Sequence, residues 1–154
     1  MVTIKYLLAN LKDSPELIKF YSNYSNKNFL SKRIECYIKY NYVFVAKVDE
    51  KIVGVLQSYI KEDSGSGLAE FEEVFVLEEY RHRGIALGLI KHAVSKIKQE
   101  FLRLGSKPRK VYLFVSANNI AGISLYKKAG FKQITKVGPL FDDNKEELFF
   151  CYSF

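Results

Sequence analysis

The chain has 154 residues, 24 lysines and arginines against 17 acids, and a formal net charge of +7. That length fits one domain over 1–154, and 48% apolar, 27% charged and 15% aromatic residues exclude wholesale disorder. No apolar run approaches the ~18 residues of a membrane span, and residues 1–5 lack the layout of a signal peptide. Cys36 and Cys151 are too few for a disulfide framework or a cysteine-rich metal site, so a reduced, cytoplasmic protein is expected.

Charge is segregated along the chain. Residues 81–110 carry nine lysines and arginines and one acid, whereas 62–79 carry seven acids and no base. A second acidic patch is Asp142, Asp143, Glu146 and Glu147, relieved by Lys145. A basic segment attracts phosphates and acidic ones attract cations, although most such charges are solvated faces and helix ends.

Residues 3–8 alternate weakly and predict a first strand. Ser14-Pro15 predicts a helix start, Ser14 as cap and Pro15 at the first helical position, with helices over about 15–22 and 28–40. Residues 42–48 are β-branched and aromatic, residues 49–51 turn the chain, and 52–60 return as the hairpin partner. After the loop Asp63-Ser-Gly-Ser-Gly67 comes a third long strand, 68–77.

From Ala86 the period becomes helical through Leu89, Ile90, Ala93, Ile97, Phe101 and Leu104, until Gly105 and Pro108 stop it. Residues 111–115 form a continuous apolar run, as a buried strand does. A short helix over 121–129 ends at Gly130, and strands over 131–137 and 148–154 flank the Gly138-Pro139 bend. The order β α α β β β α β α β β is mixed α/β, antiparallel first, with a β–α–β crossover near the centre.

Strand runs directly into helix through Arg81-His82-Arg83-Gly84-Ile85-Ala86. A helix N-terminus offers unpaired N–H groups and partial positive charge, and small residues at 84 and 86 let a phosphate reach that backbone. The segment is neither Gly-x-Gly-x-x-Gly nor a Gly-Lys-Ser/Thr loop, so the dinucleotide and ATP fingerprints are missing. Downstream stands Asn119-Ile-Ala-Gly-Ile-Ser-Leu-Tyr126-Lys-Lys-Ala-Gly130-Phe131.

Together these two blocks, over about residues 70–131, resemble the signature blocks of the GNAT superfamily of acetyl-CoA-dependent N-acetyltransferases. The resemblance implies a mostly antiparallel, twisted sheet of about seven strands, splayed at its centre and flanked by about four helices. It implies that the loop of Arg81, His82, Arg83, Gly84, Ile85, Ala86 and Leu87 holds the CoA pyrophosphate through backbone amides. Val74, Phe75 and Val76 would bond the pantetheine, Asn119 would contact the cofactor arm, and Tyr126 would protonate the departing thiolate. Gly122 departs from the family, which usually carries Ala there.

An alkylamine must lose a proton before it attacks a thioester, and the developing oxyanion needs N–H donors. No covalent intermediate on the enzyme is required, so direct transfer in a ternary complex is expected. For the base, Glu72 and Glu73 point to opposite faces of their strand. Phe-Glu-Glu-Val-Phe-Val is similar to the corresponding strand of diamine acetyltransferases, whose first acid matches Glu72; Glu73 or a water relay are the alternatives.

His82 and His92 have no partner at ligand spacing, so no metal is expected. The aromatics Tyr37, Tyr40, Tyr42 and Phe44 suit core and acceptor-site wall better than a nucleic-acid platform. The acids of 142–147 with Glu70 and Glu72 favour a cationic acceptor: a polyamine, an aminoglycoside-like amine or a lysine side chain. A protein N-terminal amine, a non-catalytic CoA-binding module and a nucleic-acid binder using 81–110 are the competing readings. Nothing in the sequence decides for or against a homodimer.

Overall fold

The computed structural model describes residues 3–24 and 30–154. Seven strands form one sheet in the order β1-β2-β3-β4-β5-β7-β6. They are β1 (Lys5–Leu8), β2 (Tyr42–Val48), β3 (Lys51–Ile60), β4 (Leu68–Val76), β5 (Lys110–Ser116), β6 (Lys132–Val137) and β7 (Glu147–Ser153). Four helices accompany them: α1 (Ser14–Tyr21), α2 (Leu30–Tyr40), α3 (Ile85–Arg103) and α4 (Ile120–Lys128). This is the mixed α/β order expected from the sequence. Residues 28–29, expected to open the second helix, lie outside the described residues.

The chain packs as two compact units, one running to Tyr59 and resuming over Glu73–Ala93, the other Ile60–Glu72 with Val94–Phe154. In the first, β1, β2 and β3 pair antiparallel. Asp49 and Glu50 join β2 to β3 with φ of 47° and 63°, the left-handed pair that matches the twist of a two-residue hairpin. One face of β2 and β3 meets α3, where Phe44 packs edge-on against His92 at 5.9 Å. There Gly88 lies so close to Tyr6 that an added Cβ would fall 2.1 Å from the phenol oxygen. Glycine is the residue that lets α3 approach β1.

In the second unit β4 runs parallel to β5 over Leu68–Glu70, and β5, β7 and β6 are antiparallel. Gly67 (φ 65°) turns the chain into β4, and its carbonyl accepts the N–H groups of Arg109 and Lys110. Ala69, Phe71, Val111, Leu113 and Phe150 are buried here, the alternate residues of strands with one covered face.

One expected boundary moves. Ser14 is the first residue of α1 rather than its cap, and Asp13 takes the cap position without a capping side-chain bond. The Asp13 carboxylate is engaged elsewhere: it accepts from Lys47 Nζ at 2.6 Å and from the Asn10 N–H at 2.9 Å, across a short 3₁₀ turn. A partner 34 residues away sets this end of the helix.

Candidate active site

The turn between β4 and α3 is braced by its own arginines. Arg81 Nε donates to the Val76 carbonyl at 3.1 Å, and Arg83 donates to the Glu79 carbonyl at 3.0 Å. Tyr80 underlies the turn, with Arg83 and Lys51 5.3 and 5.1 Å from its ring centroid. His82 and Gly84 both have left-handed backbone, φ 61° and 76°. Histidine tolerates that region better than β-branched residues do, and glycine enters it without strain.

Gly84 then accepts the first helical bond, from the Gly88 N–H at 3.0 Å. The N–H groups of Ile85, Ala86 and Leu87 therefore lack intrahelical acceptors. A Cβ on Gly84 would meet nothing within 4 Å, so the space above this backbone is open. No acid occupies the first turn of the 19-residue helix, whose dipole favours an anion there. Ile85, Leu89 and Ile90 are fully buried and anchor it. These residues fit a pyrophosphate: open backbone donors, a positive end and two guanidinium groups nearby.

On β4 the two candidate carboxylates part company. Glu72 is exposed, whereas Glu73 is half-buried. Glu73 Oε2 accepts from Gln57 Nε2 at 3.0 Å and from the Tyr21 hydroxyl at 3.4 Å. Gln57 also donates to the Tyr21 oxygen at 2.8 Å, so α1, β3 and β4 each contribute one corner. Burial pushes the Tyr21 phenol well above its usual range, and the Glu73 charge pushes it further. On α2, Arg33 donates to the Tyr37 hydroxyl. Its guanidinium is stabilised chiefly by that bond, against the cost of its burial, and further by the Glu73 charge.

Two residues along β4 on the same face, Phe75 stacks on Tyr24 at 5.2 Å. Of the expected aromatic wall, Tyr37 faces Tyr21 at 6.3 Å and Phe44 is core, but Tyr40 is 69% exposed. Neither Tyr21 nor Gln57 was among the sequence candidates. The available signal was Gln57 itself, a carboxamide directly after the apolar run Ile52–Leu56 and wholly buried at 0% exposure.

In the second unit the other block explains itself locally. Asn119 caps α4, its side-chain oxygen accepting the Gly122 N–H at 2.9 Å. Gly130 (φ 94°) ends the helix and lets the Phe131 N–H return to the Tyr126 carbonyl at 3.0 Å. Phe131, in contact with Phe71 and Tyr152, holds the Tyr126 ring edge-on at 6.0 Å. Burial pushes the Tyr126 phenol up to about 12, so it stays protonated across the working range of an ordinary enzyme.

Most of the acids that suggested a polycation are otherwise occupied, Glu72 and Asp143 being exposed. Asp142 pairs with Lys145, Glu146 with Lys136 and Glu70 with Lys61, and Glu147 is buried. Among the described residues no three side chains could hold a metal ion together, and no helix is long and apolar enough to cross a membrane.

The profile of the Acetyltransferase (GNAT) family matches residues 11–131, and the chain belongs to that family. It is 30% identical over 112 residues to an N-alpha-acetyltransferase of Sulfurisphaera tokodaii, covering 67% of this chain and 64% of that protein. The matched region therefore spans just under two thirds of the relative's length. Among solved structures, Arabidopsis thaliana NAA60 in complex with acetyl-CoA superposes with a TM-score of 0.77 at 23% identity, covering 99% of this chain and all of that one. Spermidine N-acetyltransferase from Vibrio cholerae, in complex with CoA and spermine, gives 0.78 at 18% identity over 97% and 95%. At those identities the two structures speak to the fold.

Proposed function

We propose that this protein, as one domain over 1–154, transfers the acetyl group of acetyl-CoA to a primary amine, and that the amine is the α-amino group of a peptide. The observation that carries the first half is the open, anion-ready backbone at Gly84, ahead of a helix with no acid in its first turn. Backbone N–H groups from His82 to Leu87, including those of Arg83, Ile85 and Ala86, would hold the pyrophosphate beside Arg81, whose own N–H is bonded to the Glu78 carbonyl. Backbone groups of Val74, Phe75 and Val76 would follow the pantetheine, with the Val76 carbonyl shared with Arg81. Asn119 would touch the same arm, and acetyl-CoA itself brings an acyl group activated as a thioester.

Tyr126 would direct its phenolic proton at the departing sulfur. With its pKa raised to about 12, it lies above an ordinary thiol at ~8.5. Hydrogen-bond donation to the thiolate, rather than complete proton transfer, is then its larger contribution. A carboxylate on β4 would receive the proton of the incoming ammonium.

Two arguments support an α-amine over a polyamine. A chain of net charge +7 repels a polycation more than a singly charged amine, and in the 142–147 segment Asp142 and Glu146 are paired with lysines and Glu147 is buried. An α-amino group, with a pKa near 7.7–8.0, also needs less help to deprotonate than a lysine near 10.4. The relative in Sulfurisphaera is named for this acceptor.

Thiol release from acetyl-CoA, measured against short peptides with free N-termini, spermidine, aminoglycosides and N-terminally blocked lysine peptides, tests both halves. Peptides with free N-termini are expected to lead. Faster release with spermidine or blocked lysine peptides would discard the acceptor assignment. Absence of acetyl-CoA binding by titration would discard the transferase.

A further inference from the structure

Resting on the acetyl-transfer reading above, the geometry points to Glu73, not Glu72, as the proton acceptor for the amine, with Gln57 and Tyr21 as the residues that position it. Glu72 is exposed, and no described side chain is shown holding it in place. Glu73 lies on the face that meets α1 and α2, half-buried, with Oε2 anchored by Gln57 Nε2 and the Tyr21 hydroxyl. A carboxylate that accepts hydrogen bonds is favoured in its charged form, and fixing one oxygen fixes the plane of the group. Among the described residues, the charged and titratable groups around it include Tyr21 on α1 and Arg33 and Tyr37 on α2. Arg33 reinforces the carboxylate charge, while burial keeps the Tyr21 phenol neutral at working pH.

The orientation of Gln57 is part of the argument. Its Nε2 spends both protons, one on Tyr21 and one on Glu73, and its buried Oε1 has no hydrogen-bond partner among the described residues. The reversed amide would satisfy that oxygen from Tyr21 but would turn an acceptor toward a carboxylate. The arrangement seen gives Glu73 a donor rather than an acceptor. Beside it, the Tyr24–Phe75 stack offers aromatic surface to a cation arriving at Glu73, with Tyr24 41% exposed.

The step balances without a further reagent. R–NH₃⁺ gives one proton to Glu73, and the nitrogen lone pair forms the bond to the acetyl carbon as the C–S bond breaks and its electrons go to sulfur. The nitrogen loses a second proton, one proton ends on the thiol, and Glu73 returns its own to solvent.

The test is the pH dependence of kcat for the purified chain with one peptide acceptor, comparing wild type with Glu73→Gln, Glu72→Gln, Gln57→Leu and Tyr21→Phe. Glu73→Gln should lose roughly 10²-fold or more in kcat, and Glu72→Gln should stay within about threefold of wild type. Gln57→Leu should move the acidic limb to higher pH by roughly half a unit or more, because the charged form loses its donor. Tyr21→Phe should move it less, in the same direction.

A merely structural pair would lower stability without moving the limb, and an unmoved limb in Gln57→Leu overturns the positioning role. If Glu72→Gln collapses and Glu73→Gln does not, the assignment of the base is wrong. Should Glu73→Gln misfold, Glu73→Asp keeps the charge while withdrawing it from Gln57; wild-type kcat and limb in that variant would equally sink the proposal. A wild type that binds acetyl-CoA but acetylates no amine would overturn the acetyl-transfer reading, and this inference with it.

Discussion

Glu73 and the acids of 142–147 carry the same functional group in opposite circumstances. The partners of Glu73 include neutral donors from two other elements, in a half-buried frame. Glu146 is exposed and Asp142 half-buried, and both are answered by flexible lysines, one of them three residues away. Screened surface pairs of that kind hold nothing in place, whereas buried donors fix both charge state and direction. The lesson is that a count of carboxylates near a site says little. What matters is whether the surroundings leave a charge committed to one orientation.

The largest expected effect tests the same idea with the sign of charge reversed. Gly84→Glu would set a carboxylate into the open space above the α3 N-terminus and force a side chain into φ 76°. Acetyl-CoA affinity should fall by roughly 10²-fold or more, as binding calorimetry would detect. Unaltered affinity would mean that the anion site lies elsewhere.

Next is Tyr126→Phe, a second held group. Turnover should drop roughly 10–100-fold while acetyl-CoA affinity changes less than about threefold. Since burial raises this phenol from 10.0 to about 12, the wild-type rate should show no Tyr126 limb below about pH 10. The same shift bears on stability. A folded-state pKa above the unfolded one contributes fully below pH ~10 and is lost as pH rises toward 12. Thermal midpoints should therefore fall over that window in wild type, and by less in Tyr126→Phe.

The loosely held side of the comparison predicts near-silence. Asp142→Asn with Glu146→Gln should leave the acceptor KM within about twofold and the thermal midpoint unchanged within error. A large rise in KM would mean that these acids meet the acceptor after all and would reopen the polyamine reading.

Much of this was legible from the chain. The element order follows from hydrophobic period, and β2 spans the residues its β-branched run marks, 42–48. The β4–α3 turn and the Asn119–Phe131 block were readable because their bonds are local: Gly130 folds Phe131 back on Tyr126 within one turn. What stayed hidden depends on residues distant in sequence. Period 2 says that Glu72 and Glu73 oppose each other but not which of them α1 covers. The displaced cap at Asp13 needs Lys47, and the Glu73 cluster needs positions 21 and 57, which no spacing rule connects.

The smallest expected effect sits where the chain departs from its family. Gly122 is the third residue of α4, and a Cβ there would fall 2.7 Å from Asn119 Nδ2 and 2.9 Å from its Cγ. Alanine would stabilise the helix by about 1 kcal/mol, but it would displace the capping side chain, whose loss costs about the same. Gly122→Ala should thus leave the thermal midpoint within about 3 °C of wild type. The displaced Asn119 amide is the discriminating part. If it contacts the cofactor arm as proposed, the acetyl-CoA KM should rise severalfold at unchanged stability. If KM stays put, Asn119 belongs with the groups whose only partner is their own helix, and the second block would contribute Tyr126 alone.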